Sequence, residues 1–418
     1  MLTRRGPVAS LALVVALGGF AAACSDDGDG AASSSTTAAP TTTVAPPTTS
    51  NAPPPTAPFG NAFYLAPNPL PKAKPGTLIT SEPFPGAPAG SQAWRIMFHT
   101  TALDGSDVAE SGMVIAPIGD APSGGRDVVG YAHFTTGAGQ ICAPSLSTSP
   151  FVDVEGLPEF LQAGYVVVAP DYQGLGVAGP QTSFLVGESE GRSVLDAVRA
   201  ARQLDGAGVG RRVVTWGHSQ GGHASMFAAQ LSPSYAPDLQ VLGAAGAGTP
   251  GPLSQLLSSA TGDTEEVAFA LIAIGSYGNA NADAKPASVL GADALQQLPT
   301  AMNTCTLQIE ATDSGLVNNL FTIDPSTVAP WEQILTENSP GGASPKVPVF
   351  LGQGGMDTLV TPASTTVLVN EYCGLGLPVQ LNTYPDATHT LVGLASLTDL
   401  LPWMAARFAD AAAPSTCS

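Results

Sequence analysis

Short β-prone runs alternate with helical patterns through most of this chain after residue 60. Turn residues bound the β-prone runs, which are 93–100, 111–116, 127–133, 165–169, 212–216, 347–351 and 378–384. Helical periodicity fills several of the intervals between them, including 157–163 and 183–204. This alternation predicts an α/β fold with a largely parallel central sheet. The first two runs resemble a hairpin around Asp104 and Gly105, so we expect the sheet to begin antiparallel.

The stretch from about residue 250 to residue 340 departs from this alternation. Its β-prone runs disappear, and helical patterns take their place at 265–276, 287–298 and 316–321. A helical insertion of this length between consecutive strands is typical of a cap over a catalytic face. A structural subdomain without a gating role fits the pattern equally well. We expect one folded domain over residues 60–418, with this insertion inside it.

The N-terminal 58 residues have the composition of an export signal followed by a tether. Two arginines precede an apolar stretch at 8–20, and three alanines stand directly before Cys24. This pattern indicates a lipoprotein signal over residues 1–24, with Cys24 lipidated at the mature N-terminus; ordinary signal cleavage nearby is the alternative. Residues 25–58 are mostly Ser, Thr, Pro and Ala, which cannot bury enough apolar surface to fold. The sequence therefore predicts export, as a cell-surface lipoprotein or a secreted protein.

Charge and cysteine usage exclude several classes of partner. The net charge of −19, from 33 acidic and 14 basic side chains, argues against a nucleic-acid surface. No internal apolar run reaches membrane-spanning length, so membrane contact is expected only through the lipid anchor. Setting Cys24 aside leaves four cysteines, which suit two disulfides in any of three connectivities. Their spacing does not suit a metal site, and we expect neither a metal nor another cofactor. The sequence leaves the oligomeric state open.

Two pentapeptides match G-x-S-x-G, a pattern typical of a nucleophilic serine on a sharp turn between a strand and a helix. Such matches also arise by chance in a chain with 47 glycines, so the flanking sequence has to distinguish them. The match centred on Ser189 lies within the helical pattern of 183–204 and has acidic neighbours. The match centred on Ser219 follows the β-prone run 212–216 and precedes small, helix-compatible residues. This context predicts Ser219 as the nucleophile.

A serine hydroxyl needs a nearby base, most often a histidine oriented by a carboxylate. Folds with this turn run in the order serine, acid, histidine. Four of the five histidines are poor candidates, because they either adjoin Ser219 too closely or precede it: His218, His223, His99 and His133. His389 lies in a polar loop directly after the last β-prone run, and we predict that it is the base.

Asp357 is the leading candidate for the acid. It follows the β-prone run 347–351 through a glycine-rich turn, at the carboxyl end of a predicted strand. Asp386, three residues before His389, is the main alternative, followed by Asp399 and Asp324. A loop aspartate is more often a turn or cap residue, so the alternatives have a simpler explanation.

Two backbone N–H groups usually stabilise the oxyanion formed at such a serine. One belongs to the residue after the nucleophile, which is Gln220, and the other to a loop after an earlier strand. The loop 134–139 suits this second role, although a plain glycine-rich turn is the alternative. The segment 171–176 also follows a β-prone run and either lines the pocket or forms a turn.

In combination these residues resemble the secretory lipase family. The resemblance rests on 217–222, on 130–137, on Cys142-Ala143-Pro144-Ser145 and on the Asp357/His389 arrangement, and it spans about residues 60 to 417. It implies an α/β-hydrolase fold with a helical cap insertion and activity on carboxylic esters. The implied roles are Ser219 as nucleophile, Asp357 as acid, His389 as base, and the backbones of Thr136 and Gln220 as oxyanion donors.

The resemblance also implies two disulfides, Cys142 with Cys305 and Cys373 with Cys417. One departure concerns the oxyanion loop, which has Thr135 and Thr136 where the fungal members of the family have an acidic residue. We therefore expect a lipase or esterase acting on a lipid, with triacylglycerol as one candidate, or on a small ester. A cell-envelope acyltransferase and a catalytically inactive surface lipoprotein of the same fold are the alternatives.

Overall fold

The structure, a computed structural model, describes residues 60–417 apart from 180, 259–263, 307–315 and 317–318. The predicted signal over residues 1–24, the tether over 25–58 and the lipidation site at Cys24 lie outside the described residues.

Nine strands form one sheet in the order β1-β2-β3-β5-β4-β6-β7-β8-β9. Their bounds are β1 Leu78–Pro83, β2 Ser91–Thr101, β3 Asp107–Pro117, β4 Arg126–Ala132, β5 Val166–Pro170, β6 Val209–His218, β7 Gln240–Ala247, β8 Val349–Gly354 and β9 Val379–Tyr384. The pairs β1/β2, β2/β3 and β3/β5 are antiparallel, and all the others are parallel. The expected α/β fold, its largely parallel sheet and its opening hairpin are confirmed. Two strands, β1 and β7, were not predicted.

The parallel part of the sheet is buried on both faces, because helices connect its strands. All five residues of β5 and all six of β8 are buried, as expected where crossover helices cover both faces. The helices outside the interval between β7 and β8 are α1 Leu157–Gln162, α2 Gly187–Ala201, α3 Gln220–Tyr235, α8 Pro362–Gly374 and α9 His389–Phe408. One apolar cluster includes Val194 and Val198 of α2, and another includes Trp403 and Met404 of α9.

Between β7 and β8 the regular elements of the described residues are helical. They are α4 Leu253–Ser258, α5 Thr264–Ala280, α6 Ala292–Ala301 and α7 Trp331–Glu337. Their buried residues, among them Leu271, Ile274 and Trp331, form a separate apolar cluster that also includes Phe184 and Val186. Residues 287–298 form only part of a 3-10 turn followed by α6.

The helix predicted at 316–321 is not supported by the described part of that segment. Residues 317 and 318 lie outside the description, and Phe321 forms an isolated β-bridge with Leu290. None of the helices described here is both long and apolar enough to span a bilayer. The two disulfides are Cys142–Cys305 and Cys373–Cys417, as the resemblance implied.

Candidate active site

Ser219 lies on a strained turn between β6 and α3. Its backbone has φ 56° and ψ −123°, a conformation that few residues other than glycine adopt, and its N–H donates to the Ala247 carbonyl at 2.9 Å. A Cβ at Gly221 would overlap the carbonyl oxygen of Ala132 and lie 2.7 Å from the carbonyl carbon. The second small residue of the motif therefore allows the start of α3 to pass directly against the end of β4. The turn has the form expected of a nucleophile elbow.

The other match to the pattern lies in a different setting. Ser189 is buried within α2, and its carbonyl accepts from the Ser193 hydroxyl at 3.0 Å. It lies in the first turn of α2 and not on a turn between a strand and a helix.

A chain of hydrogen bonds joins Ser219, His389 and Asp357. The Nε2 of His389 lies 2.9 Å from the Ser219 Oγ, and its Nδ1 lies 2.8 Å from the Asp357 Oδ2. His389 is the first residue of α9, which follows β9 through a short loop. The other carboxylate oxygen of Asp357 accepts from the N–H groups of Leu359 at 3.1 Å and Val360 at 2.8 Å. These bonds fix the carboxylate so that one oxygen always faces the imidazole.

The surroundings of His389 keep its imidazole ready to accept a proton. Burial lowers the pKa of His389 below its ordinary value, because it disfavours the imidazolium, and the hydrogen bond that His389 donates to Asp357 opposes this effect. A neutral imidazole whose Nδ1–H donates to a carboxylate has its Nε2 lone pair free for the serine proton. The geometry and the protonation state therefore suit a general base.

The alternative acids have other partners. Asp386 is exposed, Asp399 accepts from the Tyr384 hydroxyl at 2.9 Å, and Asp324 caps the turn Pro325–Thr327 through Ser326. These bonds agree with the turn and cap roles that such residues usually have.

Three of the other four histidines are also engaged elsewhere. His99 pairs with Asp107, and His223 pairs with Glu190, which is buried. His133 lies within hydrogen-bond distance of two backbone carbonyls, and burial lowers its pKa to about 4.

The segment 171–176 forms a buried turn. The Asp171 carboxylate accepts from the hydroxyls of Ser111 and Ser145 and from the Ser145 N–H. Tyr172 stacks on His133 with ring centroids 4.1 Å apart. These contacts hold the loops behind the site together and support the turn interpretation.

The two candidate oxyanion donors are held by contacts from different parts of the chain. Gln220 is the first residue of α3, where backbone N–H groups have no partner within the helix, and its side-chain amide donates to Glu190 at 2.7 Å. Thr136 follows β4, and its carbonyl accepts from the Thr306 N–H at 3.1 Å. The Thr136 hydroxyl is buried and lacks a hydrogen-bond partner among the described residues. The Cys142–Cys305 disulfide adds a covalent link between the same two segments.

Sequence reasoning missed three groups that surround the elbow. Glu190 binds both Gln220 and His223, and Asn338 accepts from His223 through its carbonyl at 2.7 Å. Glu155 lies 3.4 Å from the Nδ1 of His218. The G-x-S-x-G pattern drew attention to His218 and Gln220, but their carboxylate partners are distant in sequence.

The strand order, the elbow and the aligned serine, histidine and aspartate define an α/β-hydrolase. A model of the family described as "Secretory lipase" matches residues 146–415, and the chain belongs to this family. It is accordingly a carboxylic ester hydrolase.

Individual relatives agree with this assignment. The chain is 28% identical over 390 residues to the secreted triacylglycerol lipase LIP7 of Malassezia globosa, covering 86% of this chain and 81% of the relative. It is 26% identical to lipase A of Moesziomyces aphidis over 85% of this chain and 81% of the relative.

Two solved structures show the same fold. The crystal structure of Candida antarctica lipase A has a TM-score of 0.75 at 24% identity, covering 87% of this chain and 89% of the other. The rice cell wall degrading esterase LipA of Xanthomonas oryzae has a TM-score of 0.66 at 21% identity, covering 78% of this chain and 99% of the other.

Proposed function

We propose that Ser219, His389 and Asp357 form a catalytic triad that hydrolyses carboxylic esters through an acyl-enzyme. The observation that carries this proposal is the unbroken series of hydrogen bonds from the Ser219 Oγ to the Asp357 carboxylate, at 2.9 and 2.8 Å. Each group lies on its own segment of the chain, so the alignment does not follow from sequence proximity.

The first half of the reaction forms the acyl-enzyme. His389 takes the Ser219 proton at Nε2 while the serine oxygen attacks the ester carbonyl, and Asp357 stabilises the resulting imidazolium. The imidazolium then gives its proton to the departing alcohol oxygen. In the second half, His389 takes a proton from water, the hydroxide attacks the acyl carbon, and Ser219 leaves with the returned proton.

The carbonyl oxygen becomes an oxyanion in both halves. The N–H groups of Gln220 and Thr136 are the proposed donors, and a single donor of this kind contributes about 3–4 kcal/mol to the transition state. Backbone contacts of Thr306 with Thr136 and of Cys305 with Gly137 hold the 134–139 loop and support this assignment, because a donor has to be in place before the charge develops.

The surface around the triad favours an apolar ester as substrate. Met356, next to Asp357, is 58% exposed, and Leu391 and Leu394, close after His389 on α9, are 52% and 54% exposed. Large apolar side chains that are exposed next to two proposed triad residues in the chain suit lipid or another water-insoluble ester. The likeness to a secreted triacylglycerol lipase supports triacylglycerol as one such substrate.

The proposal extends to the rest of the chain. Helices α4 to α7 form a cap within a catalytic domain that covers residues 60–418, and the chain is exported. The likeness to a secreted relative supports export, and the sequence of residues 1–24 supports lipidation at Cys24.

Replacing the nucleophile tests the proposal. Ser219→Ala should lower the hydrolysis of p-nitrophenyl butyrate by at least about 10⁴-fold and abolish labelling by a fluorophosphonate. Ser189→Ala is the matched control, since it alters the other G-x-S-x-G serine and should leave both readouts unchanged. Retained labelling of Ser219→Ala would refute the assignment.

A series of esters from acetate to long acyl chains defines the substrate class. Faster hydrolysis of long chains above the solubility limit of the ester identifies a lipase. A steep fall beyond short chains identifies an esterase and contradicts the apolar surface argument.

A further inference from the structure

A second histidine lies directly beside the proposed base. The rings of His218 and His389 have centroids 5.0 Å apart with an interplanar angle of 46°. The His218 side chain is only 6% exposed, and neither of its ring nitrogens has a hydrogen-bond partner among the described residues. Burial of an imidazole without hydrogen-bond partners is costly.

The partner that His218 faces is the carboxylate of Glu155. The Nδ1 of His218 lies 3.4 Å from the Glu155 Oε1, and the other carboxylate oxygen of Glu155 is buried without a hydrogen bond among the residues described. Tyr131 and Trp216 fix the backbone of Glu155: its N–H donates to the Tyr131 hydroxyl at 3.3 Å, and its carbonyl accepts from the indole N–H of Trp216 at 3.3 Å.

The helix that begins with His389 is shaped to admit this carboxylate. A Cβ at Gly393, one turn after His389, would lie 2.6 Å from the Glu155 Cδ. Any other residue at 393 would push the carboxylate away from α9. A negative charge is thus held against the first turn of the helix that carries the base.

We propose that Glu155 and His218 form a second carboxylate–histidine pair beside the base, in which the Glu155 carboxylate favours the imidazolium form of His389 and His218, when it carries a proton, opposes that form. This inference rests on the proposed function, because it concerns the base of the same triad. Both residues are positioning residues, and the proton still passes only between Ser219, His389 and the ester.

Among the residues that the structure describes, the charged and titratable groups around His389 come from three segments. Asp357 lies in the loop after β8, Glu155 in the segment before α1, and His218 at the end of β6. On the β7 side, Gly248 approaches the His389 ring and adds no charge. Burial contributes most to the lowered pKa of His389; Asp357 and Glu155 act to raise this pKa, and His218 acts to lower it.

Replacing Glu155 and replacing His218 should therefore have opposite effects on the pH dependence of hydrolysis. Activity requires neutral His389, so the acid limb of kcat/KM follows the pKa of this residue. Glu155→Gln removes the anion and should move the acid limb to lower pH. His218→Gln leaves the anion unopposed and should move the acid limb to higher pH. Each shift should be on the order of 0.5 pH unit, as expected for one charge acting through a partly screened interior.

The experiment measures kcat/KM for p-nitrophenyl butyrate from pH 4 to pH 9, read at a wavelength where nitrophenol absorbance does not depend on ionisation. The variants are Glu155→Gln, His218→Gln and the double variant, in which the two shifts should largely cancel. Glu110→Gln is the control for a buried carboxyl-to-amide change that removes no charge over the acid limb, because burial raises the pKa of Glu110 to about 8 and the residue lies outside the proposed triad and pair. Its acid limb should match that of the wild type.

Opposite shifts of the two single variants support the inference. Unmoved acid limbs, or shifts of both variants in one direction, overturn it, even where the rates fall. If His218→Gln does not fold, the sign of the Glu155→Gln shift alone decides, and a shift to higher pH or no shift refutes the proposal. Ser219→Ala is assayed alongside, since its retained hydrolysis would reject the triad itself, a result distinct from failure of the pair.

Discussion

Asp357→Asn tests the proposed triad most stringently, because the structure fixes which atom the substitution places against His389. The Asp357 Oδ1 accepts two backbone N–H groups, those of Leu359 and Val360, and the Oδ2 accepts from His389. An asparagine has only one oxygen, which has to remain at the position facing two donors. The amide nitrogen must therefore face the Nδ1 of His389.

This arrangement reverses the tautomer of the base. An amide N–H donates to Nδ1, so the proton of the neutral imidazole moves to Nε2, the atom 2.9 Å from the Ser219 Oγ. A protonated Nε2 cannot accept the serine proton. The expected loss in kcat is about 10³- to 10⁴-fold, equivalent to about 4–5.5 kcal/mol of transition-state stabilisation.

The assay is hydrolysis of p-nitrophenyl butyrate near pH 7.5, with the rate of fluorophosphonate labelling as a second readout. The control is Asp386→Asn, which changes an exposed aspartate three residues before His389 and should alter kcat by less than about twofold. If Asp357→Asn retains a tenth of the activity, or if Asp386→Asn loses as much as Asp357→Asn, the assignment of the acid is wrong.

Two further predictions concern packing and buried charge. Gly221→Ala should abolish activity or folding, because its Cβ would overlap the Ala132 carbonyl. Gly374→Ala is the control, because a Cβ there meets no atom within 4 Å, and it should change neither the Tm nor the rate of hydrolysis. An active, stable Gly221→Ala would contradict the elbow geometry. Burial raises the pKa of Glu110 to about 8, so the folded state holds its proton more tightly than the unfolded chain and loses stability as pH rises from about 4.5 through 8. Glu110→Gln should remove this loss of stability, which amounts to at most about 5 kcal/mol. The Tm of the variant minus that of the wild type should therefore be larger at pH 9 than at pH 5. An equal Tm difference at both pH values would contradict the raised pKa of Glu110.

The sequence predicted most of the sheet because buried parallel strands are continuous apolar runs. The two strands that it missed lack that signature for identifiable reasons. β1 is an edge strand, half exposed and ending in Pro83, so it needs neither alternation nor a long apolar run. β7 reads QVLGAAGA, a run of small residues with low β-propensity. It is a strand because β6 and β8 pair with it on both sides, and Ala244 and Ala245 are fully buried.

Chain order and local sequence pattern were enough to predict the three residues of the proposed triad. Ser219, Asp357 and His389 each follow a strand, and parallel strands bring their carboxyl ends to one edge of a sheet. The pairing of Cys142 with Cys305 depended on the family resemblance, because four cysteines allow three connectivities.

The Glu155–His218 pair could not be predicted from the sequence. His218 was set aside as the base because it adjoins Ser219 in sequence. On a strand, however, residues two apart share a face, so His218 lies on the face of Trp216, whose indole binds the Glu155 carbonyl. That face packs against α9, the helix that begins with His389. The alternation of side chains along a strand could have placed His218 under α9. The position of Glu155 depends on an irregular segment that no periodicity describes. Only the folded chain shows the Glu155 carboxylate beside His218.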